Sequence, residues 1–127
     1  MPTLENAASL DCLRILAVED NADALQMLCE LLGLLGHEVS GASDAASALG
    51  LLTTQPFDIL LTDVNLPGLS GIELARQAKA ATPALKIVFA SGHDETMSSH
   101  IGFPTTWLTK PYDFEALVKA VSQSGSA

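Results

Sequence analysis

Short continuous apolar runs and stretches of helical spacing alternate along this chain. Ile15-Leu16-Ala17-Val18, Ile59-Leu60-Leu61-Thr62, Ile87-Val88-Phe89-Ala90 and Trp107-Leu108-Thr109 are four such runs, and residues 39–42 form a shorter, weaker fifth. Continuous rather than alternating, they read as strands buried on both faces of a parallel sheet, with the weak fifth at an edge. The segments between them predict helices. Asn21 caps the first, whose stripe of Ala24, Met27, Leu28, Leu31, Leu32 and Leu35 is expected to face the sheet, and Gly36 ends it. Asp44 caps a second, with Ala45, Ala48, Leu49 and Leu52 inward and Gln55-Pro56 at its end. A third occupies about 72–80, after the Pro67-Gly68 and Gly71 loop and ahead of Pro83. Asp113 caps the last, with Phe114, Leu117, Val118 and Val121 inward. The pattern is βα repeated five times, an α/β architecture. Its weakest part is 92–105, with room for little more than two helical turns and only Met97, Ile101 and Phe103 to anchor it.

Composition changes this picture little. The 127 residues suit one domain with a single core, and 48% hydrophobic residues with a mean hydropathy of +0.32 argue against disorder. Six basic against fifteen acidic residues, net −9, argue against a nucleic-acid-binding surface. Cys12 and Cys29 lie at no metal-ligand or redox spacing and read as reduced, packed thiols. There is no basic residue before Arg14 and no apolar stretch of signal-peptide or membrane-spanning character, so a cytoplasmic protein with no membrane partner is expected.

The chemistry sits where the strands end. The first run closes on Glu19-Asp20, the second on Asp63, the third on Ser91 and the fourth on Lys110. In a parallel sheet all those ends share the edge where ligands bind. Taken singly, each residue is ordinary: an acid before a helix favours its N-terminus, an aspartate caps or turns, a lysine is solvated. Three carboxylates on one edge, however, repel one another and call for a hard divalent cation with oxygen ligands, Mg²⁺ or Mn²⁺. The loop from Asp63 to Gly71 can aim the Asn65 carbonyl at such a cation. Ser91 offers a hydroxyl beside the small Gly92. Lys110 offers an ammonium to pair with an aspartate and then with phosphoryl oxygens, and the bond to Pro111 is a candidate cis peptide that would turn the lysine inward.

Val18-Glu19-Asp20-Asn21, the Asp63 to Gly71 segment, Ala90-Ser91-Gly92 and Leu108-Thr109-Lys110-Pro111 together resemble the receiver domain of bacterial two-component response regulators, over about residues 13–123. Residues 1–12 are then a loose N-terminal arm and 124–127 a frayed tail. The resemblance implies a flavodoxin-like three-layer (βα)5 sandwich with a parallel sheet of order 2-1-3-4-5. It implies phosphorylation of Asp63 by a phosphohistidine of a sensor histidine kinase or histidine phosphotransfer protein. It also implies a cation at Asp20, Asp63 and the Asn65 carbonyl, with Glu19 acting through water. Ser91, Gly92 and Lys110 would receive the phosphoryl oxygens, and Trp107 would take the place of the switch aromatic. Asn65 and His93 would tune the lifetime of the acyl phosphate. The chain would catalyse only its own phosphorylation and dephosphorylation.

The chain departs from the family between Ser91 and Lys110, where Asp94-Glu95-Thr96-Met97-Ser98-Ser99-His100 replaces an alanine-rich helix; this resembles a subgroup with a degenerate fourth helix. The expectation is that 92–105 is mobile until phosphate orders it. Alternatives are weaker. A haloacid-dehalogenase phosphatase resembles Asp-x-Asp, and Asn65 stands at the second acid. A flavin carrier would want a phosphate loop where Glu19-Asp20 would repel it. A pseudo-receiver would lack chemical positions that are filled here. Leu25, Cys29 and Leu34 on the first helix are expected to form an exposed apolar partner surface. No output domain follows Val121 in this sequence, so effects are expected to pass by contact with a downstream protein or by onward transfer. A homodimer is left open.

Overall fold

The computed structural model describes residues 13–66, 68–92, 105–110 and 112–125. Five strands form one parallel sheet: β1 (Arg14–Val18), β2 (Glu38–Ala42), β3 (Ile59–Asp63), β4 (Lys86–Ser91) and β5 (Thr106–Thr109), in the order β2-β1-β3-β4-β5. Four helices lie among the described residues: α1 (Ala22–Leu34), α2 (Ala45–Thr54), α3 (Gly71–Ala81) and α4 (Phe114–Gly125). This is the flavodoxin-like order expected from the sequence. The region of the expected degenerate helix, residues 93–104, lies outside the described residues, as do 1–12 and Pro111. The candidate cis peptide and His93 therefore lie there too.

Alternation along each strand makes two cores. Leu16, Val18, Leu60, Ile87 and Phe89 point to one face, where α2 and α3 cover them through Ala45, Ala48, Leu74, Ala75 and Ala78. Ile15, Ala17, Ile59, Leu61, Val88 and Ala90 point to the other, beneath Leu28 and Leu32 of α1 and Leu117, Ala120 and Val121 of α4. Strands sealed on both sides have no polar face, which is why the runs read as continuous. Truncating a fully buried residue such as Leu32 to Ala costs about 2–5 kcal/mol in sites of this kind.

Local signals set the ends. The Asn21, Asp44 and Ser70 side chains each accept a backbone N–H from the first turn of the helix they precede. Gly36 takes a positive φ of 94° just past α1, a conformation a Cβ would strain. Helix α3 starts one residue earlier than expected, at Gly71, because Ser70 is its cap. Helix α4 runs to Gly125, so residues 124 and 125, expected to fray, are helical.

Two helix faces differ from expectation. On α1, Met27 is 62% exposed and Ala24 also faces out. Leu25 and Cys29, expected to be exposed, are instead half-buried against the core; a Cβ on Gly41 of β2 would meet Cys29 Sγ at 3.2 Å and Leu25 Cδ1 at 3.3 Å. Apolar residues surround most of α1, so the stripe's phase was ambiguous, and close packing against a strand without side-chain bulk at Gly41 settled it. Of the expected partner surface only Leu34, 79% exposed, lies open to solvent. On α4, Phe114 is 46% exposed and Ala120 is buried in its stead.

Candidate phosphoacceptor site

The chain passes leftward from β1 to β2, then returns to β3 on the other side of β1. Connections leaving β1 and β3 diverge, and the crevice they open at the carboxyl ends is where such sheets bind ligands. Glu19 and Asp20 follow β1 directly, and Asp63 is the last residue of β3. Carboxylate oxygens of the three lie within 4.8 Å of one another. Glu19 and Asp63 are nearly buried and Asp20 is exposed.

Lys110 reaches this cluster from just beyond β5. Its Nζ donates to Glu19 Oε1 at 2.9 Å and to Asp63 Oδ2 at 3.0 Å. Its own N–H donates to the Ser91 carbonyl at 2.7 Å, which ties the end of β5 to the end of β4 and directs the side chain inward. Burial alone would lower the Lys110 ammonium, but the hydrogen bonds and charges of Glu19 and Asp63 outweigh it and hold its pKa above the ordinary lysine range. Nearby, burial pushes the Tyr112 phenol up; Glu19 and Asp63 add to the rise and Lys110 opposes it, so Tyr112 is neutral at physiological pH.

The remaining expected residues fall around this centre. Asn65 is exposed on the β3–α3 loop, its N–H 3.4 Å from Asp63 Oδ1. Ser91 is buried at the end of β4. A Cβ at Gly92, beside Ser91, would meet no atom of the described residues within 4 Å. Trp107 is half-buried, its ring 5.0 Å from that of Phe89 and its indole N–H donating to Thr105 Oγ1 at 2.9 Å. Glu19 is doubly engaged, since Oε2 accepts the Asn21 N–H at 3.3 Å while Oε1 takes Lys110. The sequence offered Lys110 to Asp63; its sharing with Glu19 depends on how two strand ends meet and carries no sequence signal.

The donor set fits a divalent cation. It is made of hard oxygens, and one ammonium among three carboxylates leaves two negative charges, the charge that one Mg²⁺ brings.

A doubly wound parallel α/β domain with an acid triad and a lysine at its switch point defines the class. The chain belongs to the response regulator receiver domain family, whose model matches residues 15–122. It is 35% identical over 113 residues to the response regulator receiver protein CpdR of Brucella abortus (strain 2308), covering 87% of this chain and 94% of that protein. It is 43% identical over 72 residues to the virulence sensor protein BvgS of Bordetella pertussis, covering 57% of this chain but 6% of that protein. The chain thus spans nearly all of one relative and a small part of the other. A response regulator receiver protein from Sinorhizobium medicae WSM419 superimposes with a TM-score of 0.84 at 30% identity, over 93% of this chain and 98% of that one. The function is that of a phospho-accepting signalling receiver, in a family of signalling domains rather than turnover enzymes. Nothing supports a haloacid-dehalogenase phosphatase. Among the described residues no helix is long and apolar enough to cross a membrane.

Proposed function

We propose that Asp63 is the phosphoacceptor, taking its phosphoryl group from a phosphohistidine of a sensor histidine kinase or a histidine phosphotransfer protein. The observation that carries this reading is the Lys110 ammonium, held at 2.9 and 3.0 Å between Glu19 and Asp63. It neutralises the attacking carboxylate before transfer and pairs with phosphoryl oxygens afterwards. An Asp63 carboxylate oxygen attacks phosphorus, the P–N bond breaks, and the leaving imidazole nitrogen keeps the electron pair and is protonated from water. Asp20, Asp63 and the Asn65 carbonyl would hold Mg²⁺ or Mn²⁺, with Glu19 reached through water, consistent with both Glu19 oxygens being engaged already. The cation supplies charge that offsets repulsion between the acid cluster and the incoming phosphoryl group.

Ser91 then donates a hydrogen bond from its hydroxyl to a phosphoryl oxygen, beside the small Gly92. Trp107 acts as the switch aromatic that reports this movement. Asn65 and His93 set how readily water attacks the acyl phosphate, so the chain governs its own dephosphorylation. The kinase-facing surface is the exposed strip of α1 carrying Leu34 and Met27, in place of Leu25 and Cys29. The setting is the cytoplasm, and the signal passes to a downstream protein or through a homodimer. Incubation with acetyl phosphate and Mg²⁺ tests the assignment: one phosphoryl group should appear on the wild-type chain and none on Asp63→Asn. Undiminished labelling of that variant would defeat it.

A further inference from the structure

The Asp63 carbonyl, on the backbone of the proposed phosphoacceptor, is held from two sides by residues outside the acid cluster. Thr62 is fully buried, and its Oγ1 donates to the Asp63 carbonyl oxygen at 2.9 Å. Its side chain lies on the opposite sheet face from that of Asp63, because neighbours in a strand alternate. From the same face Gly71 presses its α-carbon on the carbonyl: a Cβ there would sit 1.9 Å from the Asp63 oxygen and 3.0 Å from the Val64 α-carbon. The Gly71 N–H donates to the Val64 carbonyl at 2.9 Å, and the Val64 N–H donates to the Ala90 carbonyl at 3.1 Å. Both polar groups of the Asp63–Val64 peptide are thereby engaged, and so is the carbonyl of the peptide that follows it.

That peptide has leverage. Rotating it would swing the Asp63 carboxylate against Lys110 and, two residues on, redirect the Asn65 carbonyl. A buried threonine in a β-strand is ordinarily a β-branched packing residue, for which valine serves as well. Packing alone does not need a hydroxyl at Thr62, and placing one on the carbonyl of this particular residue has a consequence at the site.

We infer that Thr62 is a positioning residue for phosphoryl transfer, its hydroxyl and the bare α-carbon of Gly71 together clamping the Asp63–Val64 peptide so that the Asp63 carboxylate and Asn65 carbonyl converge. The inference rests on Asp63 being the phosphoacceptor. It assigns Thr62 no contact with the phosphoryl group.

Thr62→Val keeps the shape and removes the donor; Thr62→Ser restores the donor with less bulk. Each is compared with wild type in three measurements: initial rate of labelling by acetyl phosphate with Mg²⁺, midpoint of urea unfolding, and amide hydrogen exchange of Val64 and Asn65 without metal. Thr62→Val is expected to label about five- to tenfold more slowly, the scale of one lost orienting hydrogen bond. It should also exchange faster at those two amides than its unfolding midpoint accounts for. Thr62→Ser should return the rate to within about twofold of wild type, although it packs less well. A folded Thr62→Val that labels at the wild-type rate overturns the inference, as does a Thr62→Ser as slow as the valine variant. If Thr62→Val fails to fold, Thr62→Ser and Thr62→Ala decide: equal rates in those two overturn the inference, and a slower alanine variant supports it. A wild-type chain that takes no phosphoryl group overturns the reading of Asp63, and the clamp's role with it. Labelled wild type beside an unaffected valine variant removes the clamp alone.

Discussion

Removing the Lys110 charge should strengthen metal binding while weakening phosphoryl transfer, a pairing of opposite effects that few other substitutions could produce. In Lys110→Met the stem is retained and the ammonium lost. Glu19 and Asp63, with side chains only 8% and 11% exposed, then face each other and Asp20 with no cation between them. Orphaning a buried pair costs about 3–5 kcal/mol, but the Lys110 side chain is 31% exposed, so solvent screening reduces this to about 1–2 kcal/mol. Mg²⁺ gains what the apo protein loses. A 2+ ion and an ammonium roughly 5 Å apart at a water-like dielectric repel by about 1.7 kcal/mol, so relief of that repulsion is worth about tenfold in affinity. The assay is Mg²⁺ titration followed by Trp107 fluorescence at low ionic strength, with thermal unfolding at zero and saturating Mg²⁺. The variant should bind about tenfold tighter, gain more thermal stability from the metal than wild type, and label more slowly with acetyl phosphate. The affinity gain should shrink at 1 M salt. Unchanged or weaker Mg²⁺ binding in a folded variant would refute the electrostatic reasoning.

Other expectations follow from single contacts. Leu34→Glu and Met27→Glu, on the exposed strip of α1, should slow transfer from a cognate phosphohistidine and leave labelling by acetyl phosphate unchanged; equal slowing of both would show damage to the fold. Ser70→Ala removes the acceptor for the Glu73 N–H and should cost about 1 kcal/mol in urea unfolding. Gly71→Ala brings a methyl group onto the Asp63 carbonyl and should cost about 1–3 kcal/mol or more, because backbone rather than a flexible side chain must move. The Lys110 pKa is raised on folding, so its stabilisation is complete below the ordinary lysine value of 10.5 and is lost as pH rises through the higher folded value. Unfolding midpoints should therefore show no loss from Lys110 between pH 7 and 10, and Lys110→Met should remove part of the alkaline decline.

The strands and their polar endings were legible because strands buried on both faces leave unbroken apolar runs, and because a parallel sheet brings every carboxyl end to one edge. Glu19, Asp20, Asp63 and Lys110 could thus be gathered from three places in the chain before any distance was known. Helix faces were harder. On α1 the apolar residues nearly encircle the axis, so Met27 and Leu25 exchanged places relative to expectation; the close approach of Leu25 and Cys29 to Gly41 is a tertiary fact. On α4 the small Ala120 took the buried place expected for Phe114, because aromatic size suggests burial more strongly than position does. Thr62 was invisible for a different reason. Read along the chain it is one more β-branched residue, and its hydroxyl acquires meaning only when the carbonyl it meets belongs to Asp63 and Gly71 lies against the same oxygen.

The most direct test of a receiver centred on Asp63 is site-mapped phosphorylation. Wild type, Asp63→Asn and Lys110→Met would be incubated with acetyl phosphate, with Mg²⁺ or with EDTA, and the modified residue located by peptide mass spectrometry. One acid- and base-labile phosphoryl group should map to Asp63 in the wild type, require Mg²⁺, weaken in Lys110→Met and vanish in Asp63→Asn. A phosphoryl group mapped to any other residue, or labelling that persists in Asp63→Asn or in EDTA, would contradict it.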